Sequence, residues 1–155
     1  MSHSSPGRVD HPIQRLLLVE DNAGDARLLR EMISEGGTHG VEWTHVGSLA
    51  AAEKHLADGE VDLILLDLSL PDAQGLETLR RAKLAAPRIP VVVLSGLDDE
   101  SLALEALHQG AEDYLVKGQI ESRGLLRALR YAIERKILEE ALFAEKARAQ
   151  VSLKC

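Results

Sequence analysis

Short apolar runs alternate with helix-period segments along most of this chain. The apolar runs are Arg15–Glu20, Val41–Val46, Val61–Asp67, Ile89–Ser95 and Asp113–Val116; they are too short for buried helices and read as strands. Between them, Gly24–Ser34, Leu49–Ala57, Leu76–Ala85 and Glu100–Gln109 carry helical periodicity, and a last, longer helical pattern runs on from about Arg123. Breakers separate each helix from the next strand: Gly36-Gly37 and Gly40, Asp58-Gly59, Pro87 and Pro90, and Gly110. Five β-α units in succession predict an α/β fold with a doubly wound, five-stranded parallel sheet of order 2-1-3-4-5 and an extended C-terminal helix.

That order decides which strand ends become neighbours. Strand 1 ends in Glu20-Asp21, strand 3 in Asp67, strand 4 in Ser95-Gly96, and strand 5 reaches Lys117, so these groups line one edge. Strand 2, on the flank, ends in Val46-Gly47 and contributes nothing charged. Asp67 closes the most apolar run of the chain, where parallel strands place their ligand chemistry, although an Asp there also suits helix capping or loop amides. Asp21 has the same alternative, but Asn22 can cap the first helix without it. Three carboxylates converging on a switch point need a counter-charge, and a hard cation such as Mg2+ supplies one. Ser95 and Lys117, alone a turn residue and a surface charge, together offer the donor and the cation that stabilise phosphoryl oxygens.

The composition fits one layered domain. Hydrophobic residues make up 45% and aromatic residues 3% of 155 residues, so the core must come from Leu, Val, Ile and Ala. No run approaches a membrane span, the start has no secretory pattern, and the single cysteine, Cys155, allows neither a disulfide framework nor a cysteine metal site. A cytoplasmic location is expected. The net charge of −7 is uneven: residues 1–122 hold 10 basic against 21 acidic residues, and residues 123–155 hold 8 against 4. The acidic part does not invite nucleic acid, and the tail's cations are interleaved with Glu134, Glu139, Glu140 and Glu145, as on a solvated helix. The six histidines are scattered without ligand spacing and read as surface or packing residues.

Several motifs in fixed order carry a resemblance. Leu16-Leu-Leu-Val-Glu-Asp21, Leu63-Ile-Leu-Leu-Asp67-Leu-Ser-Leu-Pro71, Gly75, Val91-Val-Val-Leu-Ser-Gly96 and Gly110-Ala-Glu-Asp-Tyr-Leu-Val-Lys117 resemble the CheY-like receiver domain of two-component response regulators. The resemblance implies a flavodoxin-like fold and a phosphoacceptor, Asp67, that takes a phosphoryl group from a sensor histidine kinase or phosphotransfer protein. It implies magnesium held by Glu20, Asp21, Asp67 and the backbone carbonyl of Ser69, with Ser95 and Lys117 on the phosphoryl oxygens. Tyr114 would be the aromatic switch, a role that stands beside the plainer one of a core aromatic on strand 5. Such a domain assists its own phosphotransfer and dephosphorylation and is otherwise not an enzyme. Two positions depart from the pattern. Gly118 follows Lys117 where many receivers have a proline after a cis bond, leaving that loop's shape open, and Gln74 precedes Gly75 where an acidic residue is common.

The expected organisation is a flexible leader at 1–13, a receiver core at 14–122, and a long fifth helix with a coiled-coil-like linker at 123–155. Leu126, Leu129 and Ile133 should pack inward; Ile137, Ala141, Ala144, Arg148 and Val151 continue at alternating spacings of four and three, a seam for a parallel homodimer or one face of a solvated helix. The stretch from Ala141 to Leu153 also resembles linkers leading into a further signalling module, so the chain is expected to lack a C-terminal output domain. Signalling is expected to act through helix 4, strand 5 and helix 5. Two competing classes fit less well: a dehalogenase-like phosphohydrolase needs an acid where Ser69 stands, and a flavodoxin-like cofactor binder would meet Glu20-Asp21 where its phosphate belongs.

Overall fold

A computed structural model describes residues 15–35 and 41–153, with side chains to residue 149; the expected leader at 1–13 lies outside the described residues. The elements are β1 (Arg15–Val19), α1 (Ala23–Glu35), β2 (Glu42–Val46), α2 (Leu49–Asp58), β3 (Leu63–Asp67), β4 (Ser69–Leu70), β5 (Ala73–Gln74), α3 (Leu76–Ala85), β6 (Val91–Ser95), α4 (Glu100–His108), β7 (Asp113–Val116) and α5 (Ser122–Leu153). The main sheet has the order β2-β1-β3-β6-β7 and is parallel throughout. This is the 2-1-3-4-5 order read from the sequence, with numbering shifted by a small antiparallel hairpin, β4–β5, that the hydrophobic pattern did not announce. Two residues per strand are too few to leave a periodic signal.

The central strands are apolar on both faces because helices cover both. On one face Leu17, Val19, Ile64, Leu66, Val91 and Val93 meet Leu49, Leu79 and Ala106 of α2, α3 and α4. On the other, Leu16, Leu18, Leu63, Leu65, Val92 and Leu94 meet Leu29 and Ile33 of α1 and Leu125 and Leu129 of α5. The period-2 alternation of a strand thus divides one run of leucines between two cores.

Helix starts follow capping chemistry. The Ser48 side chain accepts from Ala51 N at the start of α2, Asp99 does so from Leu102 N at α4, and Asn22 Oδ1 accepts from Asp25 N at α1 over 2.9 Å. Leu126, Leu129 and Ile133 are buried as expected, and Ile137 is partly buried against the same cluster. Beyond it α5 has left the sheet: Ala141, Ala144 and Arg148 are exposed, as are Leu138, Leu142 and Phe143. Val151 of the expected seam has no described side chain. No helix among the described residues is long and apolar enough to cross a membrane.

Candidate functional site

The parallel sheet delivers all its carboxyl ends to one edge. Val19 of β1 lies opposite Leu66 of β3, so Glu20 and Asp21 emerge beside Asp67. Glu20 is 0% exposed and Asp67 3%, whereas Asp21 faces solvent. One carboxylate oxygen from each of the three can be chosen so that all lie within 4.8 Å of one another. From the far side, β7 pairs Val116 with Ser95, and the Lys117 N–H donates to Ser95 O at 2.8 Å, which aims the lysine across the edge. Its ammonium donates to Glu20 Oε1 at 2.7 Å, to Asp67 Oδ2 at 2.9 Å and to Asp25 Oδ2 at 3.1 Å.

This cation does not neutralise its surroundings. Burial, followed by the close Asp67 carboxylate, pushes the Glu20 carboxyl up to about 8, with Lys117 pulling the other way. Burial also works against the lysine's charge, but the hydrogen bonds it donates to Glu20 and Asp67 outweigh it and hold the ammonium above its ordinary value. Glu20 Oε2 is buried with no hydrogen-bond partner among the described residues. A buried acceptor left unsatisfied costs about 1–3 kcal/mol, and several carboxylate oxygens around one point are what a hard, oxygen-preferring cation requires. The residues present therefore fit Mg2+.

The loop after Asp67 is closely wired. Ser69 N donates to Asp67 Oδ1 at 2.9 Å, and Ser69 Oγ to Gln74 Oε1 at 3.2 Å, while the Gln74 amide donates back to Leu70 O. A carboxylate at position 74 could accept the first bond but not donate the second, which gives the departure at Gln74 a local role in closing the hairpin. Gly75 N and Thr78 Oγ1 both donate to Leu68 O, at 2.8 and 3.2 Å.

Ser95 and Tyr114 meet at one residue, Leu97. Ser95, buried at the end of β6, accepts from Leu97 N at 3.1 Å, and the Tyr114 hydroxyl donates to Leu97 O at 2.7 Å. The Tyr114 ring also packs, partly buried, against the α2–α3–α4 core. The bond from Lys117 to Gly118 is trans, and Gly118 has φ +86°. Here the loop turns through the left-handed region that glycine tolerates, in place of the proline geometry common at that position.

Glu20, Asp21, Asp67 and Lys117 are thus brought together as read from the sequence, with Ser95 one residue beyond the Asp67↔Leu94 pairing and Ser69 bonded to Asp67. Two further contacts escaped that reading. Asp25 looks like an ordinary acidic residue in a first helical turn, yet it binds Lys117. A ring nitrogen of His45 lies 2.6 Å from the Glu20 backbone carbonyl oxygen, so β2 reaches the site through a histidine. Asp25 sits in the first turn of α1, only four residues past the strand-end acid Asp21, a nearness that could have flagged it.

A doubly wound sheet of this order, with an acidic cluster and a lysine at its switch point, is the arrangement of a CheY-like fold. The response regulator receiver domain family matches residues 16–130, and the chain belongs to that family. It is 37% identical over 103 residues to the transcriptional regulatory protein BasR of Escherichia coli, covering 66% of this chain and 45% of that protein. Against the KDP operon transcriptional regulatory protein KdpE of the same organism, identity is 36% over 126 residues, 77% of this chain and 51% of KdpE. The chain therefore spans about half the length of these relatives. Among solved structures, the signal receiver domain of an HD domain-containing protein from Pseudomonas fluorescens superposes with TM-score 0.69 at 27% identity, covering 82% of this chain and 98% of that one. The phosphorylated cyanobacterial phytochrome response regulator RcpA gives 0.62 at 30% identity, covering 75% and 89%.

Proposed function

We propose that Asp67 accepts a phosphoryl group from a histidine kinase or phosphotransfer protein in a Mg2+-dependent reaction, and that the modification alters the surface formed by α4, β7 and α5. The observation that carries this reading is the buried Asp67 carboxylate. Lys117 lies 2.9 Å from one oxygen and the Ser69 N–H 2.9 Å from the other, beside an acidic cluster with an unpartnered Glu20 oxygen.

In the reaction an Asp67 oxygen attacks the phosphorus of the donor phosphohistidine. The new O–P bond forms as the N–P bond breaks, and the imidazole leaves with a proton taken up from solvent. The demands are positioning and charge neutralisation. The Ser69 amide holds one Asp67 oxygen, and Lys117 carries the positive charge that meets the phosphoryl oxygens. Ser95 supplies a hydroxyl to the same group after releasing Leu97 N. Glu20, Asp21, Asp67 and the Ser69 carbonyl would hold Mg2+, which when bound supplies charge neutralisation on the transferring oxygens.

The output follows from one shared residue, Leu97. A phosphorylated Asp67 that draws Ser95 toward it frees one side of Leu97, and Tyr114 holds the other side, so the loop before α4 and the tyrosine respond together. In this reading residues 14–122 form the receiver core and 123–155 a helix that links to an output module or mediates a homodimer, with the whole at work in the cytoplasm. The exposed Leu138, Leu142 and Phe143 on α5 support an apolar contact there. Incubation with acetyl phosphate and Mg2+ followed by intact mass tests the central step. One phosphoryl mass should appear on the wild type and none on Asp67→Asn; no addition, or addition that survives that substitution, refutes it.

A further inference from the structure

The turn that follows Asp67 is tied to a helix that carries none of the site residues. Asp72, at the tip of the β4–β5 hairpin, accepts from Leu49 N at 2.9 Å through one carboxylate oxygen and from Ala50 N at 2.8 Å through the other. Those are the first two amides of α2, and Ser48 Oγ takes the third, Ala51 N, at 3.1 Å. The start of a helix presents unpaired N–H groups and a partial positive charge, so a carboxylate held against it is favoured. The hydrogen bonds from Leu49, then Ala50, accordingly hold the Asp72 carboxyl below its usual range.

The tether has a fixed far end. Leu49 is 0% exposed within the α2–α3–α4 core, and Leu70 and Ala73, which flank the Pro71-Asp72 turn, are buried in the same cluster. The near end is weak by itself. Only Ser69↔Gln74 and Leu70↔Ala73 pair across the hairpin, and two strands of two residues have no independent stability. Yet this hairpin begins with Ser69, whose N–H bonds Asp67 Oδ1 and whose carbonyl would be a metal ligand in the reading above. Ser69 Oγ bonds Gln74 across the same ladder, so a displacement at the tip is passed to the Ser69 peptide.

We propose that Asp72 is a positioning residue for the metal half of the site: its two bonds to the amino end of α2 hold the β4–β5 hairpin, and through it the Ser69 peptide, in the place that metal binding requires. The proposal rests on the Mg2+-dependent phosphoacceptor reading. Groups that orient metal ligands without touching the metal commonly contribute about 10-fold or more to metal affinity.

The test is Mg2+ titration calorimetry on the full chain, with urea unfolding of each variant alongside. Asp72→Ala should weaken Mg2+ binding about 10-fold, and Asp72→Asn, which keeps one acceptor oxygen, should fall between it and the wild type. Ser48→Ala removes a cap from the same helix without touching the hairpin. It should lose stability and keep the wild-type Mg2+ affinity. Amide exchange at Ser69 should quicken in Asp72→Ala and not in Ser48→Ala. Wild-type Mg2+ affinity in both Asp72 variants overturns the proposal while leaving the phosphoacceptor reading intact, as does an equal loss in Ser48→Ala, which would make α2 stability the cause. A wild type that binds no Mg2+ overturns both. If Asp72→Ala does not fold, the comparison of Asp72→Asn with Ser48→Ala decides by the same criteria.

Discussion

Replacing Glu20 by Gln should stabilise the metal-free protein at pH 8 and hardly change it at pH 5. Burial and the neighbouring Asp67 raise the Glu20 carboxyl from its ordinary 4.5 to about 8 in the folded chain. Between those values the unfolded chain has lost this proton and the folded chain still holds it, so the folded state binds more protons and stability falls as pH rises. Each tenfold difference in acid strength between the two states is worth about 1.4 kcal/mol, which gives a loss of about 3–4 kcal/mol between pH 5 and pH 8. The Lys117 ammonium is held above its ordinary value, so its contribution is intact below its unfolded pKa and does not vary in this window. Gln carries no titrating proton and retains a polar atom for Lys117. Urea unfolding in EDTA at pH 5, 6.5 and 8 would measure the difference between wild type and variant. That difference should grow with pH in favour of Gln, and saturating Mg2+ should reverse it, because the cation needs the ionised carboxylate. A difference independent of pH would refute the argument, since Glu20 would then ionise alike in both states.

Two further substitutions probe the scaffold. Gly118→Ala should cost about 1–2 kcal/mol in urea unfolding, because φ is +86° there, and Gly118→Pro more, because proline cannot reach that angle; an unchanged midpoint in either would show that the loop does not depend on glycine. Leu129→Ala empties a fully buried position between α5 and the sheet and should cost about 2–5 kcal/mol, read from the denaturation midpoint; a loss under about 1 kcal/mol would place α5 loosely on the sheet.

The alternation of apolar and helical segments is a local property, and it determined the order of elements. Every main strand and helix lies within two residues of where periodicity placed it, because strands buried on both faces must be continuously apolar and breakers must interrupt them. The gathering of Glu20, Asp21, Asp67, Ser95 and Lys117 at one edge was legible for the same reason: each stands at the end of a run whose direction the parallel topology fixes. Tertiary structure alone decided what these groups touch. The three-way contact of Lys117 spans 97, 92 and 50 positions along the chain, and no local pattern reports a distance of that kind. Asp25 reads as a helix-start acid and Asp72 as a turn residue, since capping chemistry accounts for both locally. Only packing shows that one binds the site lysine and that the other reaches 23 positions back to α2. Likewise the burial that raises Glu20 comes from neighbours distant in sequence, because desolvation acts through space, whereas Gly118 turns within a local bond from Gln119 N to Val116 O.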